Sequence, residues 1–191
     1  MNNRLLGTLA MVCAPFLLIG FSLESQMQAL KIAWFNGAWG LVYMLGWTAS
    51  LVGLQRLEAA GTTRFGRALL WAVLVCLTIA NLSNVYQILL PDQKNSFFYT
   101  IDAFWPISNV LMLPLGITVW VARRLVGWRR FVPLLVGLWF PLGMGLMLLA
   151  GRAPIGMYLM GGYSAVTWFL LGYVVYSSQT SASKRLMGLM V

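Results

Sequence analysis

No histidine occurs among the 191 residues, and the chain carries only four carboxylates. Haem-binding bundles, di-iron desaturases and the zinc hydrolases of membranes take imidazole as a ligand, so its absence excludes them. Glu24, Glu58, Asp92 and Asp102 are too few and too scattered to build an oxygen-ligand metal cage. A serine–lysine dyad is excluded too, because Lys31, Lys94 and Lys184 all fall outside the apolar stretches. No ionisable residue stands in the middle of such a stretch, which removes the buried proton relay that a pump requires. The expectation is a non-catalytic protein with no metal and no cofactor.

Charge of either sign is scarce. Charged residues make up 9% of the chain and hydrophobic ones 60%, whereas soluble domains carry roughly 25% charge. That is too little to coat a globule in water, so the solvent is mostly lipid. Cysteine is scarce as well. Cys13 and Cys76 each lie nine residues beyond an arginine, Arg4 and Arg67, which puts them at similar depth. A disulfide between them requires the first and third helices to touch; the alternative is two reduced, buried thiols with a packing role. The opening Met1–Asn2–Asn3–Arg4 followed by an apolar run has the look of a secretory signal. Phe21–Ser22–Leu23–Glu24 is a poor cleavage context, however, and the run reads as a retained first helix.

What the chain has in quantity is long apolar runs. Crossing the hydrocarbon core takes about 20 mainly apolar residues, and six runs qualify: residues 5–23, 38–57, 67–90, 104–121, 131–150 and 155–176. The fold class expected is all-α, a polytopic six-helix transmembrane bundle over residues 1–178, with 179–191 as a short cytoplasmic tail. Short connections make successive helices antiparallel neighbours.

The basic residues orient it. Arg4, Arg56, Arg64, Arg67, Arg123, Arg124, Arg129, Arg130, Lys184 and Arg185 fall in one alternating set of gaps, and only Lys31, Lys94 and Arg152 in the other. Under the positive-inside rule both termini are cytoplasmic. A net charge of +9 in a soluble protein would suggest nucleic acid. Here the positive charges flank spans, so their partners are lipid headgroups and no nucleic acid is expected. A compact multi-pass chain of this kind fits a plasma membrane, specifically a bacterial inner membrane.

Prolines 15, 114, 133 and 141 lie within the runs and are expected to kink them. Gly46-x-x-x-Ser50, Ala49-x-x-x-Gly53 and Gly161-x-x-x-Ala165 mark faces where helix backbones approach closely. Aromatic residues gather at the span ends as an interfacial belt, and Phe97–Phe98–Tyr99 is expected to lie along the outer surface. Two inverted halves of three helices each would be the plan of several transporters, but no residue match supports a repeat.

Chemistry concentrates in one place. Thr78, Asn81, Asn84 and Gln87 are spaced by three along the third run, with Ser83 and Tyr86 beside them. That spacing makes a polar stripe on one helix face, and amides facing lipid are costly, so the stripe turns inward. Asp102, Ser108 and Asn109 of the fourth run approach from the same side. So do Asn36 and Tyr43 of the second, Tyr158, Tyr163 and Ser164 of the sixth, and Glu24 of the first. Asp102 at a run's start also has the position of an N-cap.

Two functions follow from different readings of this cluster. In one, Asn81, Asn84, Gln87, Asp102, Asn109, Tyr43 and Tyr163 line an outer-leaflet cavity that binds a small neutral or amphipathic molecule, or a lipid, or eases its passage. In the other, the polar groups are interhelical glue worth about 0.5–2 kcal/mol each, and the protein is a membrane subunit, scaffold or homo-oligomer that binds a partner through its small-residue faces.

Overall fold

Lipid offers a backbone amide no water to bond, so a chain this apolar satisfies its amides within helices. The structure, a computed structural model, describes residues 2–151 and 154–178, and among these every regular element is helical. The elements are α1 (Asn3–Cys13), α2 (Phe16–Gln26), α3 (Ala33–Arg56), α4 (Arg64–Leu89), α5 (Ser96–Asp102), α6 (Phe104–Ala122), α7 (Val132–Ala150) and α8 (Pro154–Ser177). Joined where they are nearly continuous, they form six helices long and apolar enough to cross a membrane: Asn3–Gln26, Ala33–Arg56, Arg64–Leu89, Ser96–Ala122, Gly127–Leu149 and Ile155–Ser177. This is the build of a multi-pass membrane protein. Arg152, Lys184, Arg185 and the tail at 179–191 lie outside the described residues.

Two spans are broken, and proline accounts for each break. A proline inside a helix lacks the N–H for its own bond and presses its ring on the carbonyl four residues back. Pro15 separates α1 from α2 in this way. Pro106 sits four residues after Asp102, where α5 stops; the next backbone bond, Ile107 N–H to the Ala103 carbonyl, is stretched to 3.4 Å. Pro133 does not kink its helix as expected, because it falls in the first turn of α7, where its missing N–H breaks no bond.

The fourth span starts earlier than its apolar run suggests. Asn95 caps it, its side-chain oxygen accepting the Phe98 N–H at 3.0 Å. Phe97–Phe98–Tyr99 is therefore helical; Phe98 is buried beside Tyr86 of α4, while Phe97 and Tyr99 stay exposed. Asp102 closes α5 and caps nothing; Ala103 stands at the start of α6 without a side-chain cap.

The spans pack in chain order, and the sixth returns to the first to close a ring. Helix α3 lies deepest, touching α1, α2, α4 and α8. At its centre Trp47 and Trp168 meet edge to face with ring centroids 5.1 Å apart, and neither indole N–H has a hydrogen-bond partner. Helices α6 and α7 cross at Gly116 and Gly137, where each glycine faces the other helix's backbone. Cys13 and Cys76 are both free thiols.

Candidate functional site

Helix α4 carries Asn84 and Gln87 to the inside of the bundle because its outer faces are taken by Leu82, Val85 and Leu89. They meet α3 near its N-terminal end, and the absence of a side chain at Gly40 makes the meeting possible. A Cβ there would stand 2.5 Å from the Asn84 side-chain oxygen. The Asn84 amide donates to the Asn81 side-chain oxygen at 3.1 Å and toward the Met44 sulfur at 3.0 Å. Both donors are spent inside the bundle, while its oxygen faces the space that Gly40 leaves open.

That space continues into a cavity of about 260 Å³. Asn36, Trp39, Gly40, Tyr43 and Met44 of α3 form one wall, and Ser83, Asn84 and Gln87 of α4 another. Asp102, Trp105, Leu17 and Phe21 complete it. It lies at the end of the bundle where α2 finishes and α3 begins, opposite the arginine-rich connections. Its volume is many times the ~30 Å³ share of one water molecule.

One carboxylate, Asp102, lines this cavity, and a second, Glu24, bonds two of its lining residues from behind. Asp102 accepts the Ser83 hydroxyl at 3.0 Å. Glu24 accepts the Trp39 indole N–H at 2.9 Å and the Asn36 amide at 3.2 Å, both on the same oxygen. Each carboxylate thus keeps one oxygen that takes no donor from the described residues. Neither pairs with a lysine or arginine among those residues: Lys31 is exposed in the loop after α2, and Lys94 stands over the Phe98 ring at 5.8 Å.

Gln87 is the most telling member. It lines the cavity, is only 6% exposed, and has no side-chain hydrogen bond among the described residues. Its amide is not among the fully buried atoms without a partner, so it opens onto the cavity space. Interhelical glue would have a partner here.

The seven residues read as a cluster separate accordingly. Tyr43, Asn84, Gln87 and Asp102 line one cavity, and Asn81 stands behind Asn84 as its hydrogen-bond acceptor. Asn109 and Tyr163 do not reach it. Asn109 donates to the Trp105 carbonyl one turn back at 3.0 Å, and the Tyr163 hydroxyl donates to the Leu135 carbonyl of α7 at 2.6 Å. Tyr43 shares a hydrogen bond of 3.0 Å with Ser164 of α8, which fixes its ring against Trp168. Gly40, Trp39, Phe21 and Trp105 are wall residues that the polar pattern does not single out. Among the described residues no group of cysteine, aspartate and glutamate is gathered closely enough to hold a metal ion.

A second space, open at the bundle surface where Met144, Met147 and Met157 are exposed, shares two walls with the first. It has a volume of about 380 Å³ and is lined by Trp139, Phe140, Met144, Met147, Met157 and Met160 among others, with Phe21 and Trp105 as walls common to both. Compared with protein-family models, curated proteins and solved structures, the chain finds no significant match.

Proposed function

We propose that this protein sits in the plasma membrane, a bacterial inner membrane, with both termini in the cytoplasm. There it binds a small neutral or amphipathic molecule from the outer-leaflet side, or eases its passage. The arginine asymmetry between the two ends of the bundle supports the orientation. The observation that carries the binding role is the unbonded Gln87 amide, facing a cavity whose other polar groups keep spare acceptor capacity. A small, partly apolar site with a few convergent polar groups is the usual form of a ligand pocket. The protein acts by binding and positioning, without covalent chemistry.

A second reading has one observation in its favour. A shallow apolar groove of about 630 Å³ runs between α1 and α8 past Pro15, Ala165 and Phe169 on the bundle's outer surface. A membrane subunit would seat a partner helix there.

Native mass spectrometry of protein extracted with its surrounding lipid, wild type beside Asn84→Ala, tests the first reading against the second. The expected result is a bound small molecule or single lipid on the wild type that the variant has lost. A bare chain, or a stoichiometric protein partner indifferent to the substitution, supports the second reading instead.

A further inference from the structure

The two adjoining chambers differ in chemistry as a head differs from a tail. One is walled by Asp102, Asn84, Gln87 and Tyr43, with Glu24 held at its edge by Asn36 and Trp39. The other is walled by methionines and aromatic rings. Phe21 and Trp105 border both. The two spaces are thus divided only by the Phe21 and Trp105 side chains, which an occupant of both would lie against. The larger chamber falls within the roughly 300–1,000 Å³ of ordinary ligand sites and the smaller just below it.

The charge balance then selects the head. The fixed charge lining the polar chamber is the Asp102 carboxylate, with Glu24 bonded to two of the lining residues; each keeps one oxygen open, and no lysine or arginine among the described residues neutralises them. Gln87 lines the same space, and the Asn84 amide oxygen stands beside it against Gly40. The remaining wall is aromatic, Trp39, Tyr43, Phe21 and Trp105. Acceptors and ring faces without a cation form the environment that holds an ammonium group, through charge-assisted hydrogen bonds and cation–π attraction. An anionic head would meet the like charge of Asp102, whereas an ammonium would take up its open oxygen.

We propose that the paired chambers take a single-chain amphiphile with an ammonium head, the head beside Asp102 and Gln87 and the tail along the methionine-lined chamber. The proposal rests on the binding role argued above and names its ligand class. The methionines suit a tail, since flexible thioether chains adapt to alkyl groups of varied shape.

The test uses the full chain in micelles of dodecyl maltoside, itself a neutral single-chain amphiphile, with native mass spectrometry as readout. Dodecylammonium, dodecanol and butylammonium are the probes. The wild type is expected to retain dodecylammonium about tenfold more tightly than dodecanol, and Asp102→Asn to erase that preference while leaving dodecanol binding as it was. The substitution keeps an oxygen able to accept from Ser83, and an unchanged thermal unfolding temperature is the check that the fold is kept. Gly156→Leu fills the second chamber from a position where a Cβ meets only Leu146 at ordinary contact distance, 3.4 Å. It is expected to weaken dodecylammonium and spare butylammonium. Equal retention of dodecanol and dodecylammonium by the wild type would overturn the ammonium head while leaving the binding role intact. Retention of no probe by the wild type would overturn both.

Discussion

Replacing Gln87 by leucine is expected to leave the bundle as stable as the wild type while weakening ligand retention by about tenfold or more. The two halves of this expectation come from one observation. Gln87 is 6% exposed and its amide bonds to no described residue, so the fold loses no hydrogen bond when it goes. An apolar side chain of similar size keeps the packing of the Gln87 stem against α3. A ligand that uses the amide does lose a partner. Thermal unfolding followed with a thiol-reactive dye, which reports the exposure of Cys13 and Cys76, reads the stability. Native mass spectrometry reads the retention. A lowered unfolding temperature would mean that Gln87 is structural glue after all, since interhelical bonds of that kind are worth about 0.6 to 1.7 kcal/mol.

The largest loss of stability is expected from Gly116→Val. A Cβ at this position would stand 2.5 Å from the Leu134 Cα and 2.6 Å from the Leu134 backbone nitrogen. These are main-chain atoms of α7, which cannot rotate aside as a side chain can, so α6 and α7 must separate. In lipid the hydrophobic effect does not press helices together, and close van der Waals contact is a main source of their association. Overpacking a tight contact costs about 1–3 kcal/mol and more where backbone must shift. Gly145→Val on the same α7 is the control, because a Cβ there meets nothing within 4 Å. It is expected to leave unfolding unchanged or raise its temperature slightly, as glycine is a poor helix former.

The six spans are readable because uninterrupted apolar runs of this length leave the backbone no alternative to helix. Their ends are less so. Sequence spacing puts the cap of the fourth run at Asp102, the residue nearest the apolar stretch. Asn95 takes the cap, because the helix can continue through Ser96–Asp102 before Pro106 disturbs it. That choice frees the Asp102 carboxylate for Ser83 and the cavity.

The cavity itself is partly readable. Tyr43, Asn84, Gln87 and Asp102 stand out as polar groups in apolar surroundings, and they do meet on one space. Asn109 and Tyr163 stand out equally, yet each is satisfied by a backbone carbonyl, on its own helix or the next. Nothing in residue type or spacing separates the two outcomes, since an amide that bonds the backbone and one that faces a void are identical in sequence. Gly40 was hidden for another reason. Glycine is frequent along α3, and its importance appears only when Asn84 of the facing helix is known to fill the space it leaves.

The cavity's existence and its direction are tested together by labelling a cysteine at Gln87. In a chain carrying Cys13→Ala, Cys76→Ala and Gln87→Cys, a membrane-impermeant maleimide is added to the outside of intact cells. The account predicts modification at position 87, while Leu82→Cys on the exposed outer face of the same helix stays unmodified in lipid. Modification of position 87 only after the cytoplasmic side is opened would contradict the orientation, and no modification from either side would contradict an open cavity.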